Sequence, residues 1–417
     1  MSLSAGFGLQ PPADEAPPSP RVTPYPRGEE HQEKERLTMK LVIDRGELLR
    51  GLGHVTSVVE KRTTIPILSN VLLRTSQGGL ELRATDLERE VVEETRADVS
   101  QTGAATVSAH TLYDIARKLP DGAQVEMRRD NEKERLVLAS GQSRFTLQTL
   151  APEDFPDLSP GEFSHSFEVG ASDLKRLIEK TRFAISTEET RYYLNGIYVH
   201  PATQGGQQTL RAVATDGHRL AQAELPLPSG ADGMPGIILP RKTVHELHRL
   251  IESSETMVGI DISASKARFR IGTDKEIGGV TLTTKLIDGT FPDYARVIPK
   301  GNDRSLKVRN AEFMAAVDRV STIASDRGRP VKLNLGDGTL MLSVNNPEGG
   351  GSATEQLGAD YSAGPLEIGF NARYLLDIAN QIESDTAQFL LADAGSPTVV
   401  KDEGDEGALY VLMPMRV

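Results

Sequence analysis

The chain has no cysteine and no tryptophan among its 417 residues, and aromatics make up only 5% of it. Without cysteine there is no disulfide, thiolate metal site or cysteine nucleophile, which fits a reducing cytoplasm. So few aromatics leave little material for a stacking platform that would hold single-stranded nucleic acid or sugars. No apolar run approaches the roughly 18 residues needed to cross a bilayer, so a membrane location is not expected. A phosphate-cradling G-x-x-x-x-G-K-[ST], a G-x-S-x-G elbow and an H-E-x-x-H helix are all missing. An overall positive charge is missing too. The net charge is −12, so any nucleic-acid contact must come from a local basic surface.

What is present is ordinary globular material, 38% hydrophobic and 25% charged, long enough for two to four domains. Residues 1–38 stand apart. "QPPADEAPPSPRVTPYPRGEEHQEKER" is rich in proline and charge without apolar periodicity, and it is expected to be disordered. It lacks the apolar segment of a secretory signal. Met39 reads as the start of the folded part, with the leader either an over-long gene start or a true tail.

From there the sequence repeats. "LVIDRGELLRGLGHVTSVV" from Leu41, "FEVGASDLKRLIEKTRFAIS" from Phe167 and "LKVRNAEFMAAVDRVSTIAS" from Leu306 each read as strand, turn and amphipathic helix. A second helix recurs from His110, Lys242 and Arg373. In register, Leu112, Val244 and Leu375 share one apolar position, Ile115, Leu247 and Ile378 the next, and Leu119, Ile251 and Ile382 the third. Asp114, Glu246 and Asp377 share an acidic one. Among the strands, Ala84-Thr85-Asp86 aligns with Ala214-Thr215-Asp216 and Val344-Asn345-Asn346. The expected fold class is therefore α+β, three tandem repeats with helices on one face of antiparallel sheets. The expected organisation is 1–38 extension, then domains 39–163, 164–300 and 301–417.

Asp216, His218 and Arg219 in "ATDGHRLA" are the residues most like a catalytic or metal cluster. The recurrence of the acidic position as Asp86 and Asn346 points instead to a structural turn. His245 and His248 lie three apart on one helix with no further ligand nearby, which favours a helix face over a metal site. "PEGGGSATEQ" reads as a hairpin loop. Basic residues gather on the helices, namely Arg45, Arg50, Lys61, Arg62, Lys175, Arg176, Lys180, Arg182, Arg241, Lys242 and Arg249, with Arg117-Lys118 ending another. Solvated helical faces and a phosphate-contacting surface both account for them.

"IPILSNVLL" (65–73), "RYYLNGIYV" (191–199), "ATDGHRLA" (214–221), "FPDYARVIPK" (291–300) and "YVLMPMRV" (410–417) together resemble the bacterial DNA polymerase III β subunits, the sliding clamps, over residues 39 to 417. The resemblance implies a head-to-tail homodimer whose six domains close into a ring around duplex DNA, held without base reading. It implies a cytoplasmic processivity factor with no catalytic residue, metal or cofactor. Implied partners are double-stranded DNA, the DNA polymerase III α subunit, the clamp-loader complex, translesion polymerases, ligase and mismatch-repair proteins.

The family's peptide-binding groove carries over onto Leu194, Thr215, Gly217, His218, Arg219 and Leu220 of the second domain. Pro292, Arg296 and Val297 lie near the junction, and Tyr374, Val411, Leu412, Met413, Pro414, Met415 and Arg416 belong to the third domain. Such a Leu, Val, Met and Pro cluster suits a short apolar peptide, with the polar residues orienting it. For DNA the resemblance implies Arg62, with Arg117 and Tyr193 nearby; Glu188 stands where relatives can have a neutral side chain. For the dimer it implies Phe145 and Leu147 against Ile323 and Ala324 of the partner, with Ala324 a small residue for that place. Two rival functions are a hydrolase or lyase built on Asp216 and His218, and a scaffold that does not bind DNA.

Overall fold

The computed structural model describes residues 39–416 apart from 77, 131–133, 159–160, 252–255, 273–278, 325–328 and 347–348. The leader therefore lies outside the described residues. Among the described residues two α-helices fall in each unit: α1 (Arg45–Val55) and α2 (Ala109–Lys118), α3 (Ala171–Arg182) and α4 (Arg241–Ile251), α5 (Asn310–Ser321) and α6 (Ala372–Ala379). Each first helix follows directly on a strand, Lys40–Asp44, His165–Gly170 or Arg304–Arg309. Asp44 starts α1 by accepting from the N–H groups of Gly46 and Glu47, and Asn371 starts α6 in the same way. The apolar stripes go inward: Leu48 and Leu52 of α1, Leu174 and Leu177 of α3, Phe313 and Val317 of α5 are buried. Leu112, Val244 and Leu375, aligned from sequence, are buried alike, whereas Ile115 is only partly so.

The sheets cross the unit boundaries, which the repeat pattern does not reveal. Each unit contributes two groups of antiparallel strands. Arg89–Thr95 of the first unit pairs with Val280–Lys285 of the second, fusing two groups into one eight-stranded sheet. Arg219–Pro226 of the second unit pairs with Asp405–Leu412 of the third, giving another eight-stranded sheet. A five-stranded sheet in the first unit ends at Ser143–Gln148, and a four-stranded sheet in the third ends at Gly351–Gly358. The same join is thus made twice: the strand after the Thr-Asp turn of one unit pairs with the last strand of the next. Gly351–Gly358 follows Asn346, the third copy's counterpart of that turn, and Ser143–Gln148 is the last strand of the first unit. These two strands correspond in position to the two components of such a join, and each is an edge in the single chain.

A candidate peptide groove between the second and third units

Thr215 and Asp216 build a turn from their own side chains. The Thr215 hydroxyl accepts from the Gly217 N–H at 3.1 Å and donates to the Arg219 carbonyl at 2.7 Å. One Asp216 carboxylate oxygen accepts from the N–H groups of His218 and Arg219 at 2.9 and 3.0 Å, and the other faces Arg219 Nε at 3.2 Å. Gly217 sits at φ +88°, the left-handed region glycine enters at little cost, and a Cβ there would meet the Arg191 guanidinium at 2.5 Å. Copy one makes the same turn with Thr85, Asp86 and Arg89, carrying Leu87 at φ 72°. With its carboxylate committed to two amides and a guanidinium, Asp216 is a turn-former rather than a base beside His218. Among the described residues no three potential metal ligands converge, and His248 bonds Glu179 at 2.8 Å.

Arg219 was expected to help orient a ligand; the structure gives its guanidinium a different task. It is buried in the join, 2.5 Å from Asp377 of α6 and 2.7 Å from the Phe183 carbonyl. It also stacks beneath Tyr374 at 4.4 Å from the ring centre and against Phe183 at 5.2 Å. Arg89 does the corresponding work at the first join, donating to the Lys242 carbonyl of α4 at 2.9 Å.

Above this tie the candidate residues meet. His218 lies nearly parallel to Tyr374, with ring centres 6.3 Å apart, and its carbonyl accepts from the Met413 N–H at 2.9 Å. Met415 N–H donates to Gly369 at 2.8 Å, which carries the C-terminal segment across the front of the third unit. Leu194, Leu220 and Val411 belong to a small apolar cluster, separate from the main core, with Val213, Ile238, Phe291 and Tyr294. Gly217, His218, Pro292, Arg296, Val297, Met413 and Arg416 are exposed around it, while Thr215, Tyr374, Pro414 and Met415 are half-buried. Leu412 is an exception, with its side chain wholly within the main core. Phe291 and Tyr294 were not singled out from sequence. They lay within "FPDYARVIPK", but nothing in their spacing distinguishes a groove floor from a core.

The turn recurs without the apolar cluster. In copy one, Arg83 takes the place of Val213 and Glu90 that of Leu220. Arg83 reaches Glu81 at 3.3 Å, Asp157 at 3.2 Å and Glu90 at 3.6 Å. Burial raises the Glu90 carboxyl above the usual range, against the pull of Arg83. An ionic cluster at that position offers no seat for an apolar side chain, so among the described residues the first join carries no second groove of this kind.

Many basic helix residues are spent on structure. Arg176 pairs with Asp405, Lys180 with Glu383 at 2.6 Å, Lys242 with Glu60 at 2.8 Å, and Arg50 with Glu47 and Glu93. Arg62 is exposed without an ion-pair partner among the described residues. Arg117 is exposed at the end of α2, 3.0 Å from Asp114. Tyr193 stands beside the apolar cluster, edge-on to Tyr192. Glu188 is clamped by Arg191 at 2.7 and 2.9 Å, and that hydrogen bond holds its carboxyl below the usual range. Phe145 and Leu147 share one face of the edge strand Ser143–Gln148, and Ile323 lies 3.6 Å from where a Gly351 Cβ would stand, at the start of the other edge. Ala324 is half-buried next to Ile323.

Comparison with known proteins agrees with this architecture. Family models described as DNA polymerase III beta subunit match in order: the N-terminal domain over residues 39–159, the central domain over 168–293 and the C-terminal domain over 295–416. The beta sliding clamp of Caulobacter vibrioides is 52% identical over 379 residues, covering 91% of this chain and 100% of the relative. That of Escherichia coli K12 is 37% identical over 382 residues, with the same coverage. Among solved structures, a Caulobacter crescentus beta sliding clamp aligns with a TM-score of 0.88 at 52% identity, over 92% of this chain and 100% of that one. A Bartonella birtlesii sliding clamp bound to griselimycin aligns at 0.87, also 52% identical, over 91% and 100%. With three clamp units in tandem and these relatives along its described length, the chain belongs to the DNA polymerase III beta subunit family, the DNA sliding clamps, whose part in replication is processivity rather than catalysis.

Proposed function

We propose that two copies of this chain join head to tail into a closed ring around duplex DNA, and that the groove between the second and third units tethers replication and repair proteins to it. Two of the sheet edges, Ser143–Gln148 and Gly351–Gly358, carry this reading. Inside the chain, two joins of one design are complete, and the strands left over are the two components of a third. Edge strands expose unpaired backbone N–H and C=O groups, and a head-to-tail contact of this kind satisfies them by closing a ring. Phe145 and Leu147 then meet Ile323 and Ala324 of the second copy. The ring needs no base contact, because lysine and arginine attract phosphates equally along the duplex. The acidic remainder of the surface repels other DNA. A native mass of about twice 45.3 kDa, and retention on circular but not linear DNA after loading, test the ring.

Within this reading Arg62 faces the bore. Arg117 has a second role suggested by its counterpart Arg249, which donates to the carbonyls of Gly53 and His54 across the first join at 3.1 and 2.9 Å. Replacing Arg62 and Arg117 together by alanine is expected to weaken DNA retention while partner binding persists. Equal retention at low salt, where charge matters most, counts against a basic bore. Native mass measured on the same variant separates loss of the bore from loss of the join. Tyr193, beside the groove, is proposed to touch DNA leaving the bore.

The groove is proposed to take short apolar segments of the polymerase III α subunit, the clamp loader, translesion polymerases, ligase and mismatch-repair proteins, all in the cytoplasm. No helix among the described residues is long and apolar enough to cross a membrane. Deleting residues 413–417 removes the Met413 and Met415 backbone bonds together with one groove wall. The expected result is loss of α-subunit binding with the dimer intact; unchanged affinity in a fluorescence titration refutes the assignment.

A further inference from the structure

Pro292, Arg296 and Val297 are exposed on and beside a short turn, Tyr294–Arg296, in the linker between the second and third units. The Arg296 side chain is 84% exposed and Val297 49%, so these residues do not hold themselves in place. What lies beneath them does. Phe291 stacks on Tyr198 with ring centres 4.9 Å apart and 7° between planes, and Tyr198 stacks on His200 at 4.6 Å. The Tyr294 hydroxyl is 2.9 Å from His200 Nε2 and 3.3 Å from Arg211 Nη1.

The direction of every bond in this chain follows from its ends. His200 Nδ1 is 2.7 Å from the Pro201 carbonyl, which can only accept, so Nδ1 carries the proton. In the neutral ring, which burial favours, Nε2 is then a lone pair, and the Tyr294 hydroxyl donates to it. The hydroxyl oxygen in turn accepts from Arg211, which is fixed by Glu224 at 2.7 and 2.8 Å and by Gln204 at 2.8 Å.

We propose that His200 and Tyr294 are positioning residues for ligand binding: the neutral imidazole accepts the Tyr294 hydroxyl and thereby fixes the linker wall of the groove. The inference rests on the groove reading above. Protonating His200 removes the acceptor and sets a second cation beside Arg211, leaving the hydroxyl between two donors. The charged and titratable groups facing His200 are Tyr198 on its own strand, Arg211 on the neighbouring strand with Glu224 beyond it, and Tyr294 from the linker. Burial, then Arg211, holds the imidazole below its ordinary range, against the Pro201 carbonyl. The ordered wall prefers the neutral ring, so its contribution is complete above about pH 6.5 and declines as pH falls below that.

The test measures binding of purified polymerase III α subunit to the immobilised full-length chain from about pH 8 to about pH 4.5, a range carried well below an ordinary imidazole because His200 is held below it. Tyr294→Phe keeps the ring and removes the hydroxyl; it is expected to weaken binding about fivefold at the upper pH, the scale of one lost hydrogen bond. It should also lose the part of the acid decline that His200 causes. His200→Gln offers an uncharged acceptor near the Nε2 position, and should bind within about twofold of wild type with the same flattening. Thermal unfolding of both variants identifies any general loss of fold. Wild-type binding with both variants unchanged in affinity and pH profile overturns the relay alone. A wild-type chain that does not bind α overturns the groove reading and the relay with it.

Discussion

Arg219→Ala is expected to lower the stability of the second and third units by about 2–4 kcal/mol and to abolish α-subunit binding. Removing one partner from a buried charge cluster leaves the others uncompensated, and that penalty exceeds the worth of a surface pair. Here Asp216 is left with its two backbone N–H donors and Asp377 with Arg373 at 3.8 Å, while Tyr374 and Phe183 lose the cation packed on their rings. Without that cation Tyr374 keeps its contact with the main core, and the His218 face of the groove loses part of its backing. Arg219→Lys should be intermediate, because an ammonium cannot reach two carboxylates and a carbonyl with the planar spread of a guanidinium. Denaturant unfolding followed with α-subunit titration reads both effects. A variant within about 0.5 kcal/mol of wild type, the usual spread of neutral surface changes, shows that the tie does not support the join.

Leu147→Asp is expected to convert the dimer to a monomer of 45.3 kDa. Leu147 lies on the edge strand Ser143–Gln148, opposite Leu136 in its own sheet, and remains half-buried in the single chain. Closing the ring completes its burial, and an unpaired carboxylate cannot be desolvated there without a cost of several kcal/mol. A closed ring has two identical joins, so the penalty is met twice. Ile323→Asp, on the opposite component, should give the same monomer although it alters a different unit. Native mass at several concentrations checks both; a dimer that persists in the two variants would falsify the edge-to-edge closure. The small Ala324 contributes little area, so Phe145, Leu147 and Ile323 are expected to dominate this interface.

The turn at Asp216 shows how far local sequence reaches. Its position recurs as Asp86 and, with a neutral amide, Asn346; in the first two copies the carboxylate bonds amides two and three residues on, which needs no tertiary help to form a turn. The apolar positions of the helices were legible for the same reason, since their spacing is a property of the helix itself. Arg219 was not legible in this way. Nothing local tells a guanidinium that orients a ligand from one that ties two units, because its partner Asp377 lies 158 residues away. The aligned acid on the second helices was the available hint, and it acquires meaning only once the join exists. The basic helix residues behave alike: Arg176 and Lys180 look no different from Arg62 in sequence, yet the first two pair across the second join.

By itself the sequence determined three α+β repeats, the Thr-Asp turns and the apolar faces of the helices, all set by bonds and periodicities within a few residues. The resemblance it carries pointed to a clamp and named the candidate groove. The tertiary structure alone decided that sheets fuse across the units and that Arg219 lies under Tyr374. It also decided that an apolar cluster at one join becomes an ionic cluster at the other, and that a histidine and a tyrosine far apart in the chain meet beneath the linker. Those outcomes depend on which distant strands share an edge, and strand pairing is a long-range choice that local pattern permits without selecting.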